Sequence, residues 1–348
     1  MKGEEVQPGF LSILDPSDAK TTKPAGLNST GRRTALAAWL TDPKNPLTAR
    51  VMVNRVWQYH FGTGIVATSG DFGRMGARPT HPELLDYLAT SFVENGWSIK
   101  KLHKMILLSN TYQESSDSQT AAAEADPDNK LLWRYNRRRI EAEAVRDSML
   151  SISGLLNPQM GGPGVFPPVP AGTLSELSAT AVAGGWKVEK DPAQADRRSV
   201  YIFVRRNLPY PMLQEFDSAN TFESWHVRRN TVTPSQSLDL LNNEVVLDFA
   251  KAFAGRVLND DRGSAPDAQV DAAFRLAYGR AASAEDQKSA SAFLQRQTPI
   301  MAARIAAGEK SKPPMPAKLP EGMDAARAAA FVDLCQMLLA SNEFLYIN

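Results

Sequence analysis

Residues 80–108 read THPELLDYLATSFVENGWSIKKLHKMILL and indicate two consecutive amphipathic helices. Thr80 and Glu83 match a capping box, in which each side chain satisfies an unpaired amide of the first helical turn. Apolar residues then recur at helical spacing until an Asn-Gly pair, which commonly ends a helix. Ser98 is a preferred N-cap residue for the helix that follows. The stretch therefore predicts two helices joined by a tight turn, and it decides the fold class as mainly α.

Helical patterns of the same kind continue on both sides of this stretch. They cover residues 32–40 and 46–61 before it, and 139–156, 233–249, 266–278, 283–307 and 324–341 after it. Thr233 and Gln236 form a second capping box that begins one long helix. The residues of that helix expected to face inward are Leu238, Leu241, Val245 and Phe249. The segments together predict a helical bundle.

The middle of the chain lacks this periodicity. Residues 160–172 read MGGPGVFPPVPAG, and this composition predicts an extended, ordered crossing instead of a helix. The sequence SVYIFV at 199–204 concentrates β-branched and aromatic residues and predicts a strand. The expected fold is therefore mainly α: a helical bundle with a small β element and an extended Gly/Pro-rich crossing in the middle.

These changes of pattern divide the chain into four parts. Residues 1–30 carry prolines and glycines without periodicity and are expected to form a linker from an upstream domain. An N-terminal helical lobe is expected over 31–156, and a C-terminal helical lobe over 233–348. Between them, 157–232 is expected to contain the extended crossing, short strands and a candidate site loop. We expect the small sheet to join the two lobes.

The composition argues against several classes of partner. The 348 residues include 39 Lys and Arg against 38 Asp and Glu, a net charge of +1, so we expect no nucleic-acid partner. No apolar run approaches the ~20 residues of a membrane span, so none is expected. The start, MKGEEVQPGF, lacks the apolar stretch of a signal peptide.

Metal-binding residue types are scarce. The single cysteine, Cys335, shares a helical face with Leu334 and Leu338 and is expected to be buried and inert. No HxxxH pair occurs among the four histidines, His60, His81, His103 and His226. We therefore predict no metal site and no cofactor in this chain.

Several longer blocks resemble one known family. They include NPLTARVMVNRVWQYHFGTGIV at 45–66, RRRIEAEAVRDSMLSISGLL at 137–156, RRSVYIFVRRNLPYPMLQEFDSAN at 197–220, RRNTVTPSQSLDLLNN at 228–243 and LASNEFLYIN at 339–348. In this order they are similar to the C-terminal domain of unknown function of large secreted planctomycete and verrucomicrobial proteins. Those proteins often carry a planctomycete-type cytochrome c domain.

The resemblance implies a longer, multidomain parent protein with a periplasmic or extracellular location. It also implies that upstream domains of the same polypeptide are partners of this chain. Many relatives place a cysteine just before the Arg-Arg-Asn block, where this chain reads Glu-Ser-Trp-His-Val at 223–227. Any role of that thiol is therefore expected to be missing here. The family brings no established activity, so a site must be sought in the residues themselves.

One segment, residues 205–230, concentrates the reactive side chains. Asp217 and His226 are the candidate catalytic residues, because a carboxylate and an imidazole near guanidinium groups can serve acid–base chemistry. The candidate ligand-binding residues are Arg205, Arg206, Arg228, Arg229 and Asn230. Arginines bind sulfate and phosphate groups in a bidentate manner, which suggests an anionic glycan as a partner. Alternatively, the arginines form internal salt bridges to Glu141, Glu143, Glu215 and Asp217.

Three functions follow as hypotheses. The leading one is a binding or docking module of a larger extracytoplasmic protein, because the sequence contains no complete catalytic motif. A second is a hydrolase or glycan-processing enzyme that uses the 205–230 segment. A third, a redox-partner module beside a cytochrome c domain, depends on the family resemblance alone, since this chain has no CxxCH motif for haem attachment.

Overall fold

The computed structural model describes residues 6–26, 28–170, 186–205, 208–260, 265–308 and 313–347. These residues form 14 α-helices and one sheet of two short strands. The predicted fold class, mainly α with a small β element, is confirmed. The chain divides into two units, the first within Met1–Asn136 and the second spanning Arg137–Ile347. None of the helices among the described residues has the length and apolar character needed to cross a membrane.

The described residues of the first unit form five helices. They are α1 (Arg32–Leu40), α2 (Thr48–Phe61), α3 (Pro82–Glu94), α4 (Ile99–Leu107) and α5 (Thr120–Ala125). The helices α2, α3 and α4 pack together, and their buried residues include Val53, Trp57, Leu88, Phe92 and Ile106. The packing follows the helical spacing of these apolar residues, because each helix can bury only one face against its neighbours.

Polar side chains fix the ends and connections of this unit. Ser98 caps α4 as predicted, since its hydroxyl accepts the backbone N–H of Lys101 at 3.3 Å. The capping box predicted at Thr80 is wrong: the N-cap of α3 is His81, and Thr80 donates its backbone N–H to the carbonyl of Ile65 instead. Thr80 thus holds the preceding loop through Ile65.

Among its described residues, the second unit contains nine helices and the sheet. The helices are α6 (Ala142–Ser153), α7 (Pro192–Ala195), α8 (Pro211–Glu215), α9 (Pro234–Asn242), α10 (Glu244–Leu258), α11 (Pro266–Tyr278), α12 (Ala284–Ala307), α13 (Ala325–Leu339) and α14 (Asn342–Leu345). Strands β1 (Arg138–Arg139) and β2 (Tyr346–Ile347) pair antiparallel. The core lies where α10 packs on α6 and α13. Cys335 is fully buried there, and burial raises the pKa of its thiol well above the ordinary value.

The lobe boundaries expected from the sequence differ from this division. Helix α6 was expected to complete the N-terminal lobe, yet it belongs to the second unit. Its residues Val145, Met149 and Leu150 are fully buried in the core of that unit. The sheet also differs from the expectation, because both of its strands lie within the second unit and pair its first residues with its last ones.

The predicted strand at 199–204 is wrong. Ser199–Tyr201 is a 3-10 helix, and only Ile202 forms an isolated bridge, with Val165. The physical reason is a competing acceptor: the Asp147 carboxylate accepts the backbone N–H of Ser199 at 2.6 Å. That hydrogen bond occupies a donor that a sheet would need at the start of the strand.

The single long helix predicted from residue 233 is also wrong. The capping box of Thr233 and Gln236 is present, but the helix ends at Asn242 and α10 begins at Glu244. Leu238 and Leu241, predicted to face inward, are 58% and 53% exposed, whereas Leu240 is buried. Because of this break, the buried residues of α9 and those of α10 do not follow one continuous helical face.

The Gly/Pro-rich crossing, as far as residue 170, is held by a buried arginine. The guanidinium of Arg197 donates to the carbonyls of Gln159 at 3.3 Å and Pro163 at 3.2 Å, and also to that of Gly161. It stacks on the ring of Tyr201, 3.9 Å from the ring centroid. One side chain thereby donates hydrogen bonds to several backbone carbonyls of an extended segment, which a neighbouring strand would supply in a sheet.

A second buried arginine continues this arrangement. Arg146, on α6, donates to the carbonyl of Arg197 at 3.0 Å and to that of Ala195 at 2.8 Å. Its side chain passes 5.9 Å from the ring centroid of Tyr210. These contacts connect α6 to the residues that precede the candidate segment, so the position of that segment depends on the helical core.

Candidate functional site

A cleft of about 640 Å³ opens beside the predicted segment. Its apolar wall includes Val200, Phe203, Val204, Pro209, Leu213 and Phe222. Its charged residues are Arg205, Arg228, Glu141 and Glu143. Glu141 and Glu143 are in place because one is the N-cap residue of α6 and the other lies in its first turn. All the lining residues lie in the second unit.

A smaller cleft of about 220 Å³ lies next to it. The two clefts share Gln214, Arg228 and residues 218–220, so these residues form the wall between them. Asp217, Trp225 and Arg229 line the smaller cleft alone. The predicted segment therefore contributes to two adjacent concave surfaces.

The base of the loop formed by residues 218–230 is fixed by Asp217. This carboxylate accepts the backbone N–H and the hydroxyl of Thr231, each at 2.8 Å. It also accepts the guanidinium of Arg139 at 2.6 Å, and the Arg139 and Asp217 side chains are only 3% and 13% exposed. Arg139 donates in addition to the side-chain carbonyl of Asn230 at 3.0 Å. Both ends of the loop are thus tied to β1.

Asp217 is consequently an ionised structural group. Burial raises the pKa of its carboxyl, but the hydrogen bonds from Thr231 and the charge of Arg139 outweigh burial and bring the pKa below its usual value. Its backbone is left-handed, with φ of 62°, a conformation that Asp tolerates better than most residues. These contacts suit a residue that shapes the loop, and they engage the oxygens that acid–base catalysis would need.

Arg228 ties the C-terminal part of the same loop to α6. Residues 219–227 are exposed, whereas Arg228 is half-buried. It binds the Glu143 carboxylate in a bidentate manner, at 2.6 and 3.1 Å, and lies 3.8 Å from a Glu141 oxygen. The salt-bridge alternative raised by the sequence thus describes Arg228 and also Arg139.

The other candidates have different positions. The Arg229 guanidinium stacks over the Trp225 ring, 4.6 Å from its centroid. His226 is exposed and lines neither cleft. Glu215, considered as an arginine partner, accepts a hydrogen bond of 3.5 Å from Thr233. Arg206 lies outside the described residues.

Arg205 differs from Arg139 and Arg228 because no carboxylate among the described residues pairs with it. It is half-buried and lines the larger cleft. Its Nη1 atom is shielded from solvent and has no hydrogen-bond partner among the described residues. Its backbone carbonyl accepts the N–H of Leu208 at 3.3 Å, which fixes the backbone from which the side chain extends.

Sequence reasoning missed several parts of this site. Glu141 and Glu143 were considered only as salt-bridge partners, yet they line the cleft. Phe222 was not singled out, although its side chain is 66% exposed at the cleft. The block RRRIEAEA, already noted as a family feature, carries β1 and the two glutamates. That block could have indicated the two glutamates as part of the site. It lies far along the chain from residues 205–230, so the sequence alone does not show that the two regions are in contact.

The first unit contains an imidazole pair that no sequence motif indicated. His60 Nε2 and His103 Nδ1 are 2.7 Å apart, on α2 and α4. The rings meet edge to face, and Tyr112 packs against His60 in the same way. Within the described residues, no group of three or more His, Cys, Asp or Glu side chains is placed to hold a metal ion.

Comparison with known protein families identifies a match over most of the chain. The family described as PSD1, protein of unknown function (DUF1553), matches residues 32–294. Searches of curated proteins and of solved structures gave no significant match.

Proposed function

Since the chain belongs to the PSD1 family of proteins of unknown function (DUF1553), we propose that it is a ligand-binding module whose site is the larger cleft. The observation that carries the proposal is the cleft itself. Its volume of about 640 Å³ lies within the ~300–1,000 Å³ typical of small-molecule sites. Its lining combines an apolar wall with a few charged groups, as such sites usually do.

The lining favours a ligand with a flat apolar face. Phe203 and Phe222 are both partly exposed at the cleft, and aromatic faces stack on sugar rings and on other aromatic rings. Arg205, Arg228 and the two glutamates supply hydrogen-bonding groups for the edge of such a ring. An anionic glycan, the partner expected from the sequence, fits this description.

The proposal includes a molecular context. We place the module in a larger extracytoplasmic protein, beside upstream domains of the same polypeptide. This context, including the association with a cytochrome c domain and the redox-partner alternative, is supported by the resemblance of the sequence blocks and remains a prediction.

Isothermal titration calorimetry with a panel of sugars and simple aromatic compounds tests the binding site. The panel contains neutral sugars and aromatic compounds, each beside its sulfated, phosphorylated and carboxylated derivatives. For a panel member that binds, Phe222→Ser should weaken the affinity about tenfold, because the stacking face and its apolar area are lost. Leu238→Ser is the control, since Leu238 is similarly exposed in the same unit but does not line the cleft. Equal affinities of the two variants, or no binding by the unmodified chain, would refute the proposal.

A second candidate, a glycan-processing enzyme, is favoured by one observation. Two carboxylates, Glu141 and Glu143, line the same cleft, and paired carboxylates are the usual catalytic groups of glycosidases. The direct pairing of Glu143 with Arg228 favours a binding role over this one. Turnover of a panel member that is lost in both Glu141→Gln and Glu143→Gln would reverse that preference.

A further inference from the structure

We infer that Arg205 selects ligands that carry one oxyanion, a carboxylate, sulfate ester or phosphate ester, next to their ring. The inference rests on the proposed function, because it assigns the ligand's charged group to a residue of the same cleft. It differs from the expectation drawn from the sequence, which treated the arginines of residues 205–230 as equivalent.

Among the described residues, the other arginines near the cleft already have their charges compensated or occupied. Arg139 is paired with Asp217, and Arg228 with Glu143. Arg229 lies over Trp225 and faces the smaller cleft. An incoming anion would have to displace a carboxylate from Arg139 or Arg228, and the half-buried carboxylate left behind would lose its counter-ion.

Arg205 has no such competitor among the described residues. No carboxylate in that part of the chain lies within 4.0 Å of its guanidinium, and its Nη1 lacks a partner. Arg205 lines the cleft, so an oxyanion there would compensate its charge through charge-assisted hydrogen bonds, for which guanidinium groups prefer a bidentate geometry.

The charges around the cleft limit how much negative charge the ligand can bring. Glu141 and Glu143 line the same cleft as Arg205, and Arg228 binds both of them. Among the described lining residues these four side chains are the charged ones, and their charges sum to zero, so a second anionic group would lie near a carboxylate. The cleft is therefore suited to a ligand with a single oxyanion and an apolar ring face, in preference to a polyanion.

The test compares matched neutral and anionic members of the calorimetric panel in Arg205→Gln and Arg205→Lys. The unmodified chain should bind the singly anionic member at least about tenfold more tightly than the neutral one. Arg205→Gln should reduce this ratio to about one, and Arg205→Lys should retain part of it, because lysine keeps the charge but loses the bidentate geometry. Arg296→Gln, which removes an exposed arginine of α12 outside the larger cleft, should leave the ratio unchanged.

The outcomes separate this inference from the proposed function. If neutral and anionic members bind the unmodified chain equally, the inference is overturned while the cleft remains a binding site. If no member binds, both are overturned. A purely structural Arg205 would lower the melting temperature in Arg205→Gln without changing the affinity ratio, and this result would also overturn the inference. A preference for sulfate, phosphate or carboxylate within the panel identifies the type of oxyanion.

Discussion

Arginine side chains perform three different tasks in the second unit. Arg146 and Arg197 satisfy backbone carbonyls of the extended crossing and its neighbours. The buried Arg139 and the half-buried Arg228 each pair with a half-buried carboxylate. Arg205 lines the larger cleft and has no carboxylate partner among the described residues. Since all of these residues are arginines, the role of each one depends on which acceptor groups lie next to it.

Replacing Asp217 tests whether this carboxylate is structural. Asp217→Asn should lower the free energy of unfolding by about 3 kcal/mol, because it leaves the buried Arg139 charge without a counter-ion. Urea denaturation followed by circular dichroism measures the change. Asp248→Asn is the matched control: its ion pair with Lys251 is solvent-exposed, so its loss should cost no more than about 0.5 kcal/mol.

The effect should also depend on pH. Since the pKa of Asp217 is lowered in the folded chain, its contribution is fully present above the carboxyl's pKa in the unfolded chain. That contribution is lost as the pH falls through the pKa of the folded chain. The unfolding free energies of the unmodified chain and Asp217→Asn should therefore converge in acid. A difference that stayed constant from neutral to acidic pH would contradict the assignment.

At the scale of elements, the break between α9 and α10 shows how a single residue separates two helices. Asn243 is the last residue before α10, and its side chain accepts the backbone N–H of Val245 at 2.9 Å. The same side chain donates to Asp239 at 3.0 Å, across the end of α9. Helical periodicity continues through this point in the sequence, which explains why one long helix was predicted.

Removing this cap should destabilise the second unit. Asn243→Ala should lower the free energy of unfolding by about 1–2 kcal/mol, because α10 loses its N-cap and the half-buried Asp239 loses a donor. Asn242→Ala provides a neighbouring control, since Asn242 is exposed and only donates to a carbonyl within its own helix. Its change should stay within about 0.5 kcal/mol. Thermal and urea denaturation measure both variants. Equal decreases in the free energy of unfolding would show that the Asn243 side chain does not stabilise the start of α10.

At the scale of the whole molecule, the division at residue 137 determines which fragments can fold. The core of the second unit includes α6 together with α10 and α13. A fragment of residues 137–348 should therefore melt cooperatively with a mainly helical circular dichroism spectrum. A fragment of residues 1–136 should remain monomeric, whereas one of residues 1–156 should aggregate, because α6 would expose Val145, Met149 and Leu150.

Size-exclusion chromatography of the two N-terminal fragments distinguishes this division from the lobe expected over 31–156. If the fragment ending at residue 156 is monomeric and more stable than the one ending at 136, α6 belongs with the preceding helices. If the 137–348 fragment shows no cooperative melt, the second unit does not fold by itself.

The sequence by itself determined the helical class, most helix positions and the caps at Ser98 and Thr233, because helix periodicity and capping depend on residues within a few positions of one another. It also pointed to residues 205–230 through their density of charged side chains. It misplaced the strand at 199–204 and joined α9 to α10, since in both places a polar side chain, Asp147 or Asn243, redirects backbone hydrogen bonds.

Only the tertiary structure decided which of the charged residues are paired and which face a cleft. Arg139 and Asp217 are 78 residues apart in sequence but 2.6 Å apart in space. Glu141 and Glu143, at the start of α6, reach Arg228 in the same way. The physical reason is that ion pairing depends on distances set by packing of the whole unit. No local pattern records those distances, so arginines that look alike in sequence have different roles in the folded chain.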